Sequence, residues 1–371
     1  MKKIAILTER LKTGFGVDLV VHEQAKRLAK KCETTVFAIE IDDEYDNKHN
    51  YSTYKLRIPL HFNPIVQDLE SFKHFHKYKH ILKQFDSFII QTPTFNSWIP
   101  KLKKFGKVIV HYYGNSPSNK YPGLKKYRKQ IFDFVENNFY FNFADEIITI
   151  SSFLKSNISQ KHHSKTHVIY LGADHVKEIF NTVTTRKRNE ILKYFFIDKN
   201  EKMITYIGRL DYFENPYKNT YDLIKLRRSL DKSGFNKTKI LAIGFPQNQI
   251  EKKMFATGIS VVSRATNQEL TVLLEASYLY FSPSLWEGFN LPFVEAQALG
   301  VPALGYDVGA HQEVVNNRFS GTLVKSFPEM VLTIKKLLKS EEERQRMSQE
   351  ALIKASSYTW DKNVEMLERF L

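Results

Sequence analysis

Apolar residues along this chain fall in short continuous runs, and each run is followed by a longer stretch in which they recur at helical spacing. K-I-A-I-L-T-E near the amino terminus is the first run. A loop with Gly14 and Gly16 follows it, then an amphipathic segment over residues 19–31. T-T-V-F-A-I-E, S-F-I-I-Q-T, K-V-I-V-H-Y-Y, E-I-I-T-I-S and H-V-I-Y-L continue the series. Short uninterrupted apolar runs read as strands buried on both faces. A polar, charged stretch at residues 182–189 follows Gly172, and the alternation then restarts with M-I-T-Y-I-G, K-I-L-A-I-G, G-I-S-V-V-S, Y-L-Y-F-S-P-S and P-A-L-G-Y-D. Strands alternating with helices predict an α/β fold with parallel sheets covered on both faces. Two such series predict two doubly wound domains, with ligands bound at the carboxyl ends of the strands. The expected boundaries are residues 1–172, residues 173–355, and a terminal helix over 356–371 that packs back on the first domain.

Composition agrees with this division, because 371 residues exceed one typical core. No apolar run reaches the ~18 residues of a membrane span. The apolar part of the start is shorter than the ~7–15 residues of a signal peptide, so it reads as a first strand. One cysteine, Cys32, excludes an intramolecular disulfide and fits a reducing, cytoplasmic compartment. The net charge of +15 is uneven: residues 101–132 hold nine Lys or Arg and no acid. That cluster suits peripheral contact with an anionic membrane, and no nucleic-acid-binding motif accompanies it. Phe72, Phe75, Tyr78, Leu82 and Phe85 form one helical stripe, which is expected to face the core.

The stretch with the most chemistry is S-L-W-E-G-F-N-L-P-F-V-E-A-Q-A-L-G, residues 284–300. Glu287 and Glu295 stand seven intervening residues apart. Pro292 suits a helix start, Gly300 its end, and Pro302 forbids continuation. Glu295 is therefore expected in or near the first turn, with Glu287 and the amides of Gly288, Phe289 and Asn290 in the loop before it. Amides at a helix start favour phosphates, and carboxylates accept from hydroxyls. A phosphorylated sugar fits both; two solvated charges beside an ordinary helix would also fit. After M-I-T-Y-I-G come Arg209 and, nine residues on, Lys218, a cationic pair suited to a pyrophosphate. The Gly14/Gly16 loop lacks the third glycine of a dinucleotide fingerprint. His111 ends a predicted strand, where catalytic groups gather. The Asp42-Asp43-Glu44 run reads as a solvated loop, and no Asp-x-Asp metal motif follows a strand.

In this order the motifs resemble retaining glycosyltransferases of family four, which have the GT-B fold of two Rossmann-like domains facing across a cleft. The resemblance is carried by Y-I-G-R-L-D…K-N, by V-V-S-R-A-T-N-Q-E-L-T-V-L-L-E-A-S-Y-L-Y and by S-P-S-L-W-E-G-F-N-L-P-F-V-E-A-Q-A-L-G-V-P-A-L-G-Y-D-V-G-A-H-Q-E-V-V. Weaker matches over G-F-G-V-D-L-V-V-H-E-Q-A-K-R-L-A-K-K, A-D-E-I-I-T-I-S-S-F-L-K-S-N-I and V-I-Y-L-G-A-D extend it to nearly the whole chain.

It implies transfer of a hexose from a UDP- or GDP-sugar to a glycan or lipid-linked acceptor at the inner membrane face. No metal or other cofactor is required for that chemistry. Glu295 would hold the ribose, and Glu287 the donor sugar, with amides near Phe289, Asn290 and Leu291 on sugar and diphosphate. Arg209 and Lys218 would stabilise the leaving diphosphate. The base would rest near Arg264, Ala265 and Thr266, and Gly16 would let its loop approach the diphosphate. Three positions depart from the family pattern. Arg209 and Lys218 are spread by Y-F-E-N-P; the family's usual histidine before Gly114 is Tyr113, so either Tyr113 or His111 takes its role; and Leu171 replaces the usual Asn before Gly172. A soluble sugar acceptor, as in sucrose or trehalose synthases, and a catalytically silent binding protein are the alternatives.

Overall fold

The structure is a computed structural model that describes the chain except residues 47, 62, 199–200, 212–214 and 246–248. It contains two compact units, Met1–Leu171 with Trp360–Leu371, and Gly172–Thr359.

In the first unit the strands are β1 (Lys3–Leu11), β2 (Glu33–Ile41), β3 (Ser52–Lys55), β4 (Ser87–Ile90), β5 (Lys107–Tyr112), β6 (Glu146–Thr149) and β7 (Thr166–Val168). They form one sheet in the order β3-β2-β1-β4-β5-β6-β7. Every pairing is parallel; Ile6 of β1, for example, lies between Val36 of β2 and Ile89 of β4. Ile4, Ile6 and Leu11 pack with Val21 and Leu28 of the Gly16–Leu28 helix and with Val364 and Leu367 of the terminal Trp360–Glu368 helix. Arg27 Nε donates to Asp361 at 2.8 Å, fastening those two helices.

The second unit contains β8 (Met203–Ile207), β9 (Lys239–Ile243), β10 (Ser260–Val262), β11 (Leu279–Ser282), β12 (Ala303–Tyr306) and β13 (Gly321–Val324). Their order is β10-β9-β8-β11-β12-β13, again parallel. Ile204, Ile240, Leu279 and Leu304 meet Met330, Ile334 and Leu337 of the Phe327–Lys339 helix in its core.

Strand order reverses beside the first strand of each sheet, between β1 and β4 and between β8 and β11. A doubly wound sheet opens a crevice at such a point, outside the carboxyl ends of the strands. The residues leaving β1, β4, β8 and β11 are thus placed for ligands by topology alone.

Two strands, β3 and β13, have no counterpart in the apolar runs. Both are sheet edges, but they were missed for different reasons: β3 reads S-T-Y-K and is mostly exposed, whereas β13, G-T-L-V, is mostly buried but too short an apolar run to stand out. The stripe over residues 72–85 divides. Phe75, Tyr78, Leu82 and Phe85 are buried, but Phe72 is 49% exposed, its ring capped by the Lys101 ammonium at 3.5 Å. Phe85 lies beyond the Pro64–Leu82 helix, so the helical stripe ends before it. Among the described residues no helix is long and apolar enough to cross a membrane.

Leu367 is fully buried in the first core. Leu367→Ala is expected to cost about 2–5 kcal/mol, read as a lower urea midpoint; an unchanged midpoint would show that the terminal helix adds nothing to that core.

Candidate active site

The loop from β11 to the Leu291–Ala298 helix is shaped by three features, two of backbone and one of side chains. Asn290 takes the left-handed conformation, φ +67°, immediately before the helix. Its side chain donates to His311 Nε2 at 2.9 Å, and His311 Nδ1 faces the Tyr306 carbonyl at 2.6 Å. A carbonyl only accepts, so Nδ1 carries the proton and Nε2 is the acceptor for Asn290. Burial pushes His311 below the usual histidine range, which keeps this neutral tautomer. The third feature is Gly309, φ +57°, whose Cβ would stand 2.2 Å from the Glu287 carbonyl oxygen. Only glycine fits there, and the next amide, Ala310 N, donates to that same oxygen at 3.0 Å.

Glu287 is buried, and its Oε1 accepts from Lys218 Nζ at 2.7 Å. Burial pulls the ammonium down, but Glu287, then Tyr217 and Tyr206, outweigh it and hold Lys218 above the usual lysine range. Lys218 ends a turn, Pro216–Lys218, which the following loop grips twice. Leu285 N donates to Tyr217 O at 2.7 Å, and Asn219 Nδ2 to Pro283 O at 3.2 Å. Arg209 leaves β8 exposed and donates to Asn215 at 3.0 Å. Of the Y-F-E-N-P segment, residues 212–214 lie outside the described residues.

Glu295 stands just past the first turn, not within it, because the helix begins at Leu291. It is buried, with Oε1 3.2 Å from His175 Nε2. Phe289 is buried against Tyr358. Arg264, exposed, and Ala265, half-buried, follow β10. Thr266 caps the Asn267–Glu275 helix: its Oγ1 accepts from Glu269 N at 3.2 Å, while Glu269 accepts from Thr266 N at 2.8 Å. T-N-Q-E is a capping box that the sequence displays, so the Thr266 side chain already has a structural task.

In the first unit His111 and Tyr113 differ sharply. His111 lies within β5, buried, with neither ring nitrogen hydrogen-bonded among the described residues; burial pushes it to about 3. Tyr113 lies past the strand, partly exposed, and its hydroxyl donates to Gln91 Oε1. Burial, then the nearby Asp18 carboxylate, raises the phenol above its usual range. Gly16 opens its helix with nothing within 4 Å of a would-be Cβ. The fold itself therefore does not demand glycine at 16.

Four buried groups escaped the sequence motifs: His175, His311, Asp18 and Glu136. Asp18 accepts from Lys12 N at 2.9 Å, and burial, opposed by Arg10, brings it to about 7. Glu136 accepts from Asn96 at 3.0 Å and from Asn115 at 2.9 Å, and burial raises it to about 7. His311 and Asp18 lay inside matched stretches, G-A-H and G-F-G-V-D; His175 and Glu136 had no such signal.

A carboxyl group raised on folding stabilises the fold fully below its unfolded pKa and loses that contribution as pH rises through its folded one. For Glu136 the window runs from 4.5 to about 7. Glu136→Gln is expected to flatten the fall in stability between pH 5 and pH 8 by on the order of 1–3 kcal/mol. Parallel unfolding curves for variant and parent across that range would refute the assignment.

Comparison with known proteins agrees with these two units. Residues 16–177 match the family model described as Glycosyltransferase Family 4, and residues 187–353 match Glycosyl transferases group 1. An MMP alpha-(1->4)-mannosyltransferase of Mycolicibacterium hassiacum is 30% identical over 177 residues, covering 46% of this chain and 39% of that protein. The aligned region thus spans well under two thirds of that curated relative. Among solved structures, sucrose-phosphate synthase of Thermosynechococcus elongatus superposes with TM-score 0.81 at 16% identity, covering 100% of this chain and 98% of that one. HepE of Anabaena, in complex with UDP and glucose, gives TM-score 0.79 at 16% identity, covering 100% and 99%. Taken with the paired doubly wound sheets, these matches show that the chain belongs to the group 1 glycosyltransferases of the GT-B fold.

Proposed function

We propose that this protein moves a hexose from a UDP- or GDP-sugar to an acceptor, with retention at the anomeric carbon. The observation that carries the reading is the pair of half-buried Lys218 and buried Glu287 at the switch point between β8 and β11. An ammonium with one proton on Glu287 keeps two others for a leaving diphosphate, and Arg209 adds a planar fork. The charge that develops in transfer is on that diphosphate, and donors already aimed at it supply the largest catalytic term. Glu287 keeps Oε2 for a donor-sugar hydroxyl. Glu295, with Oε1 turned to His175, keeps Oε2 for the ribose. The amides of Gly288 to Leu291 suit the sugar and diphosphate. The base rests against Arg264 and the backbone of Ala265 and Thr266, since the threonine hydroxyl is occupied by its cap. Gly16, free of packing demands, allows close approach of a ligand. Tyr113 takes the family histidine's place, because His111 is enclosed in its strand. HepE, named in complex with UDP and glucose, supports UDP-glucose as the first donor to try.

For the acceptor, the Gly123–Val135 helix favours a lipid-linked glycan at the inner face of the membrane. A surface helix normally turns its apolar stripe inward, and this one does the reverse. Leu124, Tyr127, Ile131 and Phe134 recur at helical spacing and are 59–72% exposed, while Lys126 and Lys129 are half-buried beneath them. Lys125 and Arg128 flank the apolar stripe on the exposed side. Each basic residue near an anionic leaflet contributes about 1 kcal/mol, and each apolar side chain leaving water about 1.5–3 kcal/mol. Peripheral attachment on these two terms needs no membrane span. A soluble sugar acceptor is the second reading, supported by the likeness to sucrose-phosphate synthase; turnover with free sugars and no lipid would identify it.

A calorimetric panel of nucleotide sugars should find one tight donor. Glu287→Ala and Arg209→Ala should each largely abolish transfer, and the product should keep the donor's anomeric configuration by NMR. Near-normal turnover in both variants would sink the site, and inverted product would sink retention. Sedimentation with phosphatidylglycerol-containing vesicles should retain the parent chain, and Ile131→Glu with Phe134→Glu should release it at least tenfold. Equal retention on neutral and anionic vesicles would remove the membrane reading.

A further inference from the structure

A line of buried amides runs through the first unit from the Tyr113 hydroxyl to the Tyr170 backbone carbonyl. Gln91 and Gln24 are 0% exposed, and Asn363 is 2% exposed. Tyr113 donates to Gln91 Oε1. Gln91 Nε2 donates to Gln24 Oε1 at 2.8 Å, Gln24 Nε2 to Asn363 Oδ1 at 2.9 Å, and Asn363 Nδ2 to the Tyr170 carbonyl at 2.7 Å. The participants come from β4's end, from the Gly16–Leu28 helix and from the terminal helix, so the line is a product of folding, not of local sequence.

Its direction follows from its last member. A backbone carbonyl can only accept, so Asn363 must turn its NH₂ toward Tyr170 and its oxygen toward Gln24. Gln24 must then offer NH₂ to Asn363 and oxygen to Gln91. Gln91 in turn offers NH₂ to Gln24 and oxygen to Tyr113. Reversing any one amide would set two donors or two acceptors face to face in a dry interior, the costly arrangement for buried polar groups. The phenol is left with no choice: its single proton points inward.

We infer that Gln91, Gln24 and Asn363 are positioning residues that fix the Tyr113 hydroxyl as a pure hydrogen-bond acceptor toward ligand. The ligand group it meets is therefore a donor, a sugar hydroxyl, and not a phosphate oxygen. This rests on the reading of Tyr113 as a ligand contact, but the relay itself can be tested without it. Asn363→Leu removes the anchor and frees Gln24 to turn. Asn363→Asp still presents only acceptors to Gln24 and so preserves the direction of everything beyond it, although it faces the Tyr170 carbonyl unfavourably. A purely structural role predicts that both substitutions are equally harmful; a directional role separates them.

Two measurements on the full chain decide the matter. In protein labelled with 15N-glutamine, the Gln91 side-chain amide should be protected from hydrogen exchange in the parent and in Asn363→Asp, and lose protection in Asn363→Leu. Equal protection in all three would overturn the relay. With UDP-glucose as probe, Tyr113→Phe and Asn363→Leu should each weaken binding by roughly tenfold, and the double variant by no more than the larger single loss. Asn363→Asp should bind within about twofold of the parent. Multiplying losses, or Asn363→Asp as weak as Asn363→Leu, would overturn the inference. Should Asn363→Leu not fold, Gln24→Met interrupts the same line and carries the same expectations. A parent that shows the amide protection yet binds no nucleotide sugar in the panel would refute the proposed function and the ligand assignment of Tyr113, leaving the relay standing.

Discussion

Glu287 is held at both ends, and much of the second unit is arranged around that grip. Its carboxylate is fixed by Lys218 and its carbonyl by the Ala310 amide. Each hold has requirements of its own. The lysine is placed by a turn that Leu285 and Asn219 bind to the loop, and the amide can come close only because residue 309 lacks a Cβ. An ion pair removed from water is not a strong source of stability, since desolvation offsets the attraction. Breaking it is another matter, because the remaining charge is stranded in the interior. A pair that adds little to the fold, yet is costly to disturb, is what a site gains from preorganisation.

How much of this was legible in the sequence depended on whether the signal was local. The buried strands announced themselves as apolar runs because parallel strands covered on both faces have no polar side. The edges β3 and β13 carry no such mark. Glu287, Glu295, Arg209 and Lys218 could be singled out because each stands in a short motif continuous in sequence, and folding brings Lys218 onto Glu287. The spacing of Arg209 and Lys218 suggested an uncertain partnership for the lysine, and its proximity to Glu287 comes from loop-to-loop bonds that no spacing encodes. His175 and the amide line were invisible for the same reason, and His311 showed only as part of the matched G-A-H. Gln24 and Asn363 are 339 positions apart, and an isolated Gln in a helix looks like any solvated residue.

The basic cluster over residues 101–132 shows a different limit. Counting charges found it, but charge alone is compatible with an ordinary solvated surface. What distinguishes the Gly123–Val135 helix is which side faces the protein. Its stripe at 124, 127, 131 and 134 has the periodicity of a core-facing helix, and periodicity cannot tell inward from outward. Only the exposure of all four residues, with Lys129 turned in toward Asp133 at 3.6 Å, reverses the expected orientation.

That helix is also joined to the segment of its own unit that carries Tyr113, the proposed ligand contact. It runs directly into Glu136, whose carboxylate holds Asn115 in the loop two residues past Tyr113. The opposite side of Tyr113 is held through Gln91. The segment from Tyr113 to Asn115 is therefore positioned from two directions, by a carboxylate at the end of the exposed helix and by an amide line anchored on a backbone carbonyl. The two supports differ in kind. The amides do not titrate, so the direction of the Tyr113 proton is independent of pH, whereas Glu136, raised to about 7 by burial, changes charge in the physiological range. Protonation of Glu136 would leave it one fewer acceptor site for Asn96 and Asn115 without touching the relay. The orientation of the Tyr113 hydroxyl is thus the more robust of the two features, and loop placement beyond it the more adjustable.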